Sequence, residues 1–414
     1  MKHAIIYPPD DFGFEVPPLA ITNSGDPKPT HANVSLLLAA LPGQIRFESF
    51  AQRITCSGLR ELGYFPDGEW TDQHTTQFVQ LCERHGLGAS PAIVDRAVTL
   101  HAHRNAYNVL ADFVGDCAAQ WDGVARVDQA FTTYWRAEDT AATRAAARVF
   151  LLSLARRALD PGAKVDTVPV FKGDQGVRKS TGLETLVGPA WFADSPLPIG
   201  DKDGMQALPG TWLWEFGENH ALSRRDLNAV KAFLSQRVDK YRPSYGRHNV
   251  SVPRQTCFAI TTNEQQTLND STGARRFLPV VVGAVDTSAI ERDRTQLIGE
   301  AARRLLDGEE HWPSDAETAE LAGVRELHRE TDPWEEPIAV WLETRSEPFE
   351  LTDLFECESH ADRSKVAGPV PLPLSRVGKK EQGRAAAVLR GLGWVRKQSR
   401  ARGPHRGKWL WCPP

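Results

Sequence analysis

No stretch of this chain approaches the roughly 18 consecutive apolar residues that a membrane-spanning helix needs. The N-terminal MKHAIIYPPDD reaches acidic residues before any apolar run of signal-peptide length. Both absences argue against a helical membrane protein or a secreted one and point to the cytoplasm. Cysteine is scarce too. Six residues (56, 82, 117, 257, 357 and 412) are scattered without C-x-x-C spacing, which argues against a disulfide framework and fits reduced thiols. Cys357 and His360 offer two metal-ligand types, but no second pair stands with them. No internal repeat is present. Net charge is small, −4 over 414 residues, which argues against a protein coated with nucleic acid. The balance is uneven, however. From Arg363 onward Lys and Arg recur throughout and Glu381 is the lone acid. A basic end on an acidic chain fits a polyanion partner, or a solvated tail that keeps the protein soluble.

The length predicts two or three domains. Residues 1–70 form an N-terminal arm, rich in Pro, Asn, Thr and Asp, with one short helix at 35–41 and a turn cluster at 63–68. Residues 71–160 carry five helical patterns, the first capped by Thr71-Asp72 and stopped by Gly86 and Gly88. Residues 161–335 alternate strand and helix, as α/β nucleotide folds do. Residues 336–414 form a separate basic module. Its order of helix, turn, helix and two short strands around a basic loop is winged-helix-like. Such a module reads duplex DNA or braces a neighbour.

The most informative stretch is VPVFKGDQGVRKST, residues 168–181. A short buried strand leads into a glycine turn and then into a helix opened by Lys179, Ser180 and Thr181. That is the layout of a P-loop. Backbone N–H groups at a helix N-terminus cradle phosphate oxygens, the lysine meets the β/γ-phosphates and the serine hydroxyl holds Mg²⁺. The candidate cradle is Gly173, Asp174, Gln175, Gly176, Val177, Arg178, Lys179, Ser180 and Thr181. One residue departs from the usual spacing. Arg178 stands where a second glycine would permit an unusual φ and a close backbone approach. An arginine there either adds a phosphate contact or spoils the cradle; Lys179 and Ser180 are retained, which favours a working site.

An ATPase also needs an acid at the tip of an adjacent strand. The apolar run Thr211–Phe216 ends in Glu215, with Glu218 just beyond, and the two leave open which one activates water. The strand 255–261 ends in Thr262-Asn263, where Asn263 is either a γ-phosphate sensor or ordinary turn chemistry. Arg275-Arg276 follow a Thr-Gly turn, as an arginine finger reaching a neighbour's site or as a salt-bridged surface pair. In the segment 239–248, Lys240, Arg242 and Arg247 interleave with aromatics. That pattern suits phosphate and base contacts, or a solvated edge hairpin.

In order and spacing these segments resemble the virulence-associated E family, NTPases of phages, satellites and genomic islands. FKGDQGVRKST, WFAD (191–194), KDGMQALPGTWLWEFGE (202–218), VKAFLSQRVDKYRPSYGR (230–247), PRQTCFAITTN (253–263) and LNDSTGARRFLPV (268–280) carry the likeness. The resemblance implies an α/β fold with an AAA+-like, superfamily-3 helicase-like P-loop core, a helical domain before it and a winged-helix-like domain after it. It implies ATP and Mg²⁺ as cofactors. Lys179 and Ser180 would serve phosphate and metal, Glu215 with Glu218 the acidic tip, Asn263 the sensor, and Arg275 or Arg276 the finger. Arg254 would serve a phosphate or intersubunit contact, and Lys240, Arg242 and Arg247 would face DNA. The implied partners are single-stranded DNA, an origin duplex, further copies of the chain in a ring, and host replication proteins. No membrane is implied. Relatives often carry a primase domain upstream; no acid cluster for primer synthesis is evident, so primase activity is not expected. The rival expectation is a non-hydrolysing DNA-binding scaffold or replication-interference factor whose nucleotide site is degenerate.

Overall fold

The computed structural model describes residues 16–59, 66–217, 227–244, 246, 248–263, 276–327, 332–345, 347–356, 368–399 and 407–413. Two compact units divide at residues 324 and 325. The larger opens with α1 (His31–Ala40) and an antiparallel sheet of β1 (Gln44–Glu48), β2 (Arg53–Ser57) and β3 (Gly68–Glu69). Helices α2 (Asp72–Arg84) and α3 (Pro91–Arg104) follow. Thr30 caps α1 by accepting from Asn33 N, and Val34, Leu37 and Leu38 pack with Phe78, Val94 and Val98 in one core. The described part of the expected arm is therefore a folded helix-and-sheet layer. Its main strands have five residues each, too few for alternation to stand out from loop composition.

Next come α4 (Val109–Gln120), α5 (Ala130–Trp135) and α6 (Ala141–Leu159). The alternating half follows as β4 (Val168–Lys172), α7 (Lys179–Val187), β5 (Phe192–Ala193), α8 (Lys202–Ala207), β6 (Leu213–Phe216) and α9 (Leu227–Leu234). A hairpin of β7 (Val238–Tyr241) and β8 (Val250–Pro253) leads to β9 (Cys257–Thr262), β10 (Phe277–Val281), α10 (Thr287–Leu306) and α11 (Asp315–Leu327). Five of these strands form a parallel sheet in the order β10-β4-β9-β6-β5. All five residues of β4 are buried, as expected of a parallel strand covered on both faces. Phe171, Leu213, Ala259, Leu278 and Val280 meet α4, α6 and α10 in one core. On the other face Phe216 stacks on Phe258, which meets Phe233 of α9.

The helical region expected at 71–160 is divided between two cores. Helices α2 and α3 close the first layer, whereas α4, α5 and α6 pack into the core of the parallel sheet. The cause lies in α6, whose Ala- and Leu-rich sequence is buried along nearly its whole length; a helix apolar on most sides must be covered on most sides.

The smaller unit holds α12 (Glu335–Glu343), β11 (Phe355–Glu356), β12 (Val370–Pro373), α13 (Lys379–Gly391) and a hairpin of β13 (Val395–Gln398) and β14 (Trp409–Cys412). Ile338, Phe349, Leu354, Leu389, Trp394 and Trp411 form its core, and Phe349 bridges Trp411 antiparallel. Among the described residues no helix is long and apolar enough to cross a membrane, and no three potential metal ligands cluster. Cys357 and His360 lie outside the described residues.

Arg254 departs from its expected role. It is 1% exposed. Its Nε donates to Asp239 Oδ2 at 2.9 Å, its Nη2 donates to Asp239 Oδ1, and the guanidinium lies 4.3 Å from the centroid of the Phe233 ring. No phosphate or neighbouring subunit reaches a group buried this way; Arg254 ties the β7–β8 hairpin to α9. Removing one member of a buried pair strands the other charge. Asp239→Ala should therefore lower stability by about 3–5 kcal/mol in urea denaturation, against little change for the exposed Lys240→Ala. Equal midpoints for the two variants would contradict this role.

Candidate functional site

Every strand of the parallel sheet ends at the same edge, so the loops after β4, β5, β6 and β9 converge there. The chain leaves β4 under tight constraint. Val282 N donates to Lys172 O at 2.7 Å and Gly173 N donates to Thr262 O at 3.2 Å. A Cβ on Gly173 would stand 2.6 Å from the Val282 carbonyl oxygen, so glycine is required. The loop turns at Gly176, with φ 84°, and again at Arg178, with φ 65° and ψ 35°. Helix α7 starts at the next residue. The left-handed conformation costs an L-residue other than glycine about 1–2 kcal/mol.

Lys179 is 8% exposed. Its Nζ donates to Gly173 O at 2.7 Å, to Asp174 O at 3.0 Å and to Asn263 Oδ1 at 2.9 Å. The ammonium thus stands inside the loop's curve, tied to the tip of β9. Ser180 Oγ donates to Glu215 Oε1 at 2.6 Å, and Thr261 Oγ1 donates to the same oxygen. Glu215 is 2% exposed, and its buried Oε2 has no hydrogen-bond partner among the described residues. Burial raises the Glu215 pKa above its usual range. The Ser180 and Thr261 hydroxyls and the Lys179 ammonium oppose that rise, while the Asp194 carboxylate adds to it.

A cavity of about 450 Å³ opens over these groups. Gln175, Gly176, Arg178, Lys179, Ser180, Thr181, Glu215 and Asn263 line it, together with Asp194, Gly217 and Thr261. Of the remaining loop residues, Gly173 and Asp174 supply the carbonyls that hold Lys179, and Val177 O accepts from Val285 N. Asp194 and Thr261 were not anticipated as site residues. Asp194 follows a strand of two residues, too short to announce itself. Thr261 was legible in principle: it lies two positions from Ala259, the register partner of Glu215, and so shares the face of the Glu215 side chain.

One expectation changes. Glu215 was expected on a strand adjacent to the loop strand, but β9 lies between β6 and β4; Glu215 still meets Ser180 because α7 spans the edge above all three strands. Arg276 precedes β10, at the opposite edge of the sheet from the cavity. There Nε donates to Ser235 Oγ at 3.2 Å and lies 3.7 Å from Asp166 Oδ2, so Arg276 is no part of this cavity. Lys240 and Arg242 are exposed on the β7–β8 hairpin, and neither lines the cavity. Glu218, Arg247 and Arg275 lie outside the described residues.

The geometry can hold an anion at the start of α7 and a hard cation between Ser180 and Glu215. The unpaired Oε2 and the oxygen donor set suit Mg²⁺. The profile of the virulence-associated protein E-like domain matches residues 115–330. No curated protein sequence matches the chain. Among solved structures, the NrS-1 C-terminal region (305–718) is similar at 10% identity and a TM-score of 0.41, over 74% of this chain and 77% of that one. The JCV helicase is similar at 13% identity and a TM-score of 0.27, over 66% of this chain and 85% of that one.

The raised pKa fixes a sign. Glu215 in the folded state keeps its proton above the ordinary value of 4.5, so its contribution to stability falls as pH rises from that value through the folded pKa. Without nucleotide or metal, wild type should therefore lose stability relative to Glu215→Gln as pH rises from 4.5 into the range above it. A stability difference that stays constant over this range in denaturant titrations would contradict the burial of an ionisable Glu215.

Proposed function

The chain belongs to the virulence-associated protein E-like family, and from that premise we propose that it is an ATP-dependent, DNA-acting NTPase serving replication of a phage, satellite or genomic island. The observation that carries the reading is the convergence of Lys179, Ser180, Glu215 and Asn263 on one cavity at the C-terminal edge of a parallel sheet. We take the 173–181 segment as a P-loop of an AAA+-like core. Its α7 N-terminal amides and the Lys179 ammonium cradle the phosphates. Ser180 Oγ and Glu215 would hold Mg²⁺, which would supply charge neutralisation at the phosphates. Asn263 orients the Lys179 ammonium and senses the terminal phosphate. Glu215 or Glu218 takes the proton of the attacking water, and the low-dielectric setting of Glu215 strengthens its electrostatic contribution. Arg275, rather than the internally paired Arg276, is the better finger toward a neighbouring copy, so turnover depends on assembly into a ring.

DNA is the proposed substrate surface. Lys240 and Arg242 stand exposed on the β7–β8 hairpin, and Arg247 follows them in the sequence. In the smaller unit the Phe349–Trp411 bridge, α13 and the β13–β14 hairpin suit a winged helix. Arg396 and Lys397 are exposed on that hairpin and Arg396 lies 4.9 Å from the Trp409 ring centroid, an arrangement that favours phosphate and base contacts.

The test is ATP hydrolysis by the purified chain, with and without single-stranded DNA. Wild type should turn over ATP faster with DNA, and Lys179→Ala should lose about 100-fold or more while keeping its melting temperature within a few degrees. Absence of turnover at any protein concentration would overturn the hydrolase reading and leave a nucleotide-gated or structural DNA-binding protein.

A further inference from the structure

Arg178 breaks three local rules at once. Its φ of 65° lies in the left-handed region, where glycine sits without strain. It is the N-cap of α7 but makes no side-chain cap hydrogen bond, where Ser, Thr, Asp or Asn would satisfy a first-turn amide. Its cation sits at the positive end of the helix, where the macrodipole disfavours it. Nothing in the fold offsets these costs: the guanidinium is exposed and makes no hydrogen bond or ion pair among the described residues. It nevertheless lines the cavity, in which Lys179 is the only other described cation and Asp194 and Glu215 are the acids. Local rules broken together at a site mark a functional demand.

An anion at the start of α7 would resolve the missing cap and the misplaced charge. It would satisfy the first-turn amides, reverse the sign of the local field and pair the guanidinium. We propose that Arg178 is a nucleotide-contacting residue that places a second positive charge, from the same chain, on the terminal phosphates of the bound nucleotide and gives the site its preference for triphosphate over diphosphate. This rests on the reading of the cavity as a nucleotide site. Arg178 thereby supplies in cis part of the charge neutralisation that a neighbour's finger alone would otherwise provide.

The variant Arg178→Gly separates this role from a structural one, because the two effects have opposite signs. Glycine relieves the strained φ, so the variant should melt at a higher temperature than wild type. It should also bind Mg-ATP about tenfold more weakly, the worth of one charge-assisted hydrogen bond. Binding of Mg-ADP should change less, so the ATP-over-ADP preference should shrink. Arg178→Lys should recover part of it. Calorimetric titration of wild type, Arg178→Gly, Arg178→Lys and Lys179→Ala with Mg-ATP and Mg-ADP reads all of these. If Arg178→Gly binds Mg-ATP as tightly as wild type or more tightly, Arg178 is a defect in the cradle and the proposal is wrong. If wild type binds neither nucleotide, the nucleotide site itself is refuted and the proposal with it.

Discussion

A carboxylate buried at a strand tip is the constraint around which the rest of the site is arranged. Glu215 cannot ionise cheaply where it sits, and burial drives its pKa upward. Two hydroxyls share one of its oxygens, and the other has no partner among the described residues. Such an arrangement is costly for a purely structural residue. It requires α7 to lie above the sheet edge so that Ser180 reaches across, and β9 to present Thr261 on the same face. It also requires the 173–178 loop to bring Lys179 within hydrogen-bond reach of Asn263. The parallel order β10-β4-β9-β6-β5 meets all of these demands at once, because it brings the ends of the loop strand and the acidic strand to opposite sides of β9.

Much of this was legible because the α/β half is written in strong local signals. VPVF is an apolar run closed by Lys172 and Gly173, α7 ends at Gly188, and α10 begins at its Asp286 cap. The chemistry-bearing positions Lys179, Ser180, Glu215 and Asn263 each follow or end an apolar strand, so sequence alone placed them at a common edge. What escaped was non-local. Strand order depends on crossovers that no window of sequence contains, so the insertion of β9 between β4 and β6 was invisible. The short strands of the first layer and β5 lack the length for a period to register. Arg254 was read as a site residue from the resemblance, and only the fold reveals the Asp239 carboxylate that holds it.

The division of labour in the chain follows from the same physics. The larger unit keeps a carboxylate oxygen of Glu215 at the cavity without a partner among the described residues, while the smaller leaves bases exposed on α13 and β13. Net acidity overall and basicity in the last segment are then consistent with one region that holds a nucleotide and another whose surface suits a polyanion. The departure at Arg178 belongs to this account, since an anionic ligand would satisfy an uncapped cation at a helix start.

The central claim is that Ser180 and Glu215 form the metal side of a nucleoside-triphosphate site. Its most direct test is the Mg²⁺ dependence of binding of a non-hydrolysable ATP analogue to wild type and to Ser180→Ala. The account predicts binding that strengthens markedly with Mg²⁺ in wild type and loses most of that dependence in the variant. Binding that ignores Mg²⁺ in both proteins, or a Mg²⁺ dependence that survives the substitution unchanged, would contradict it.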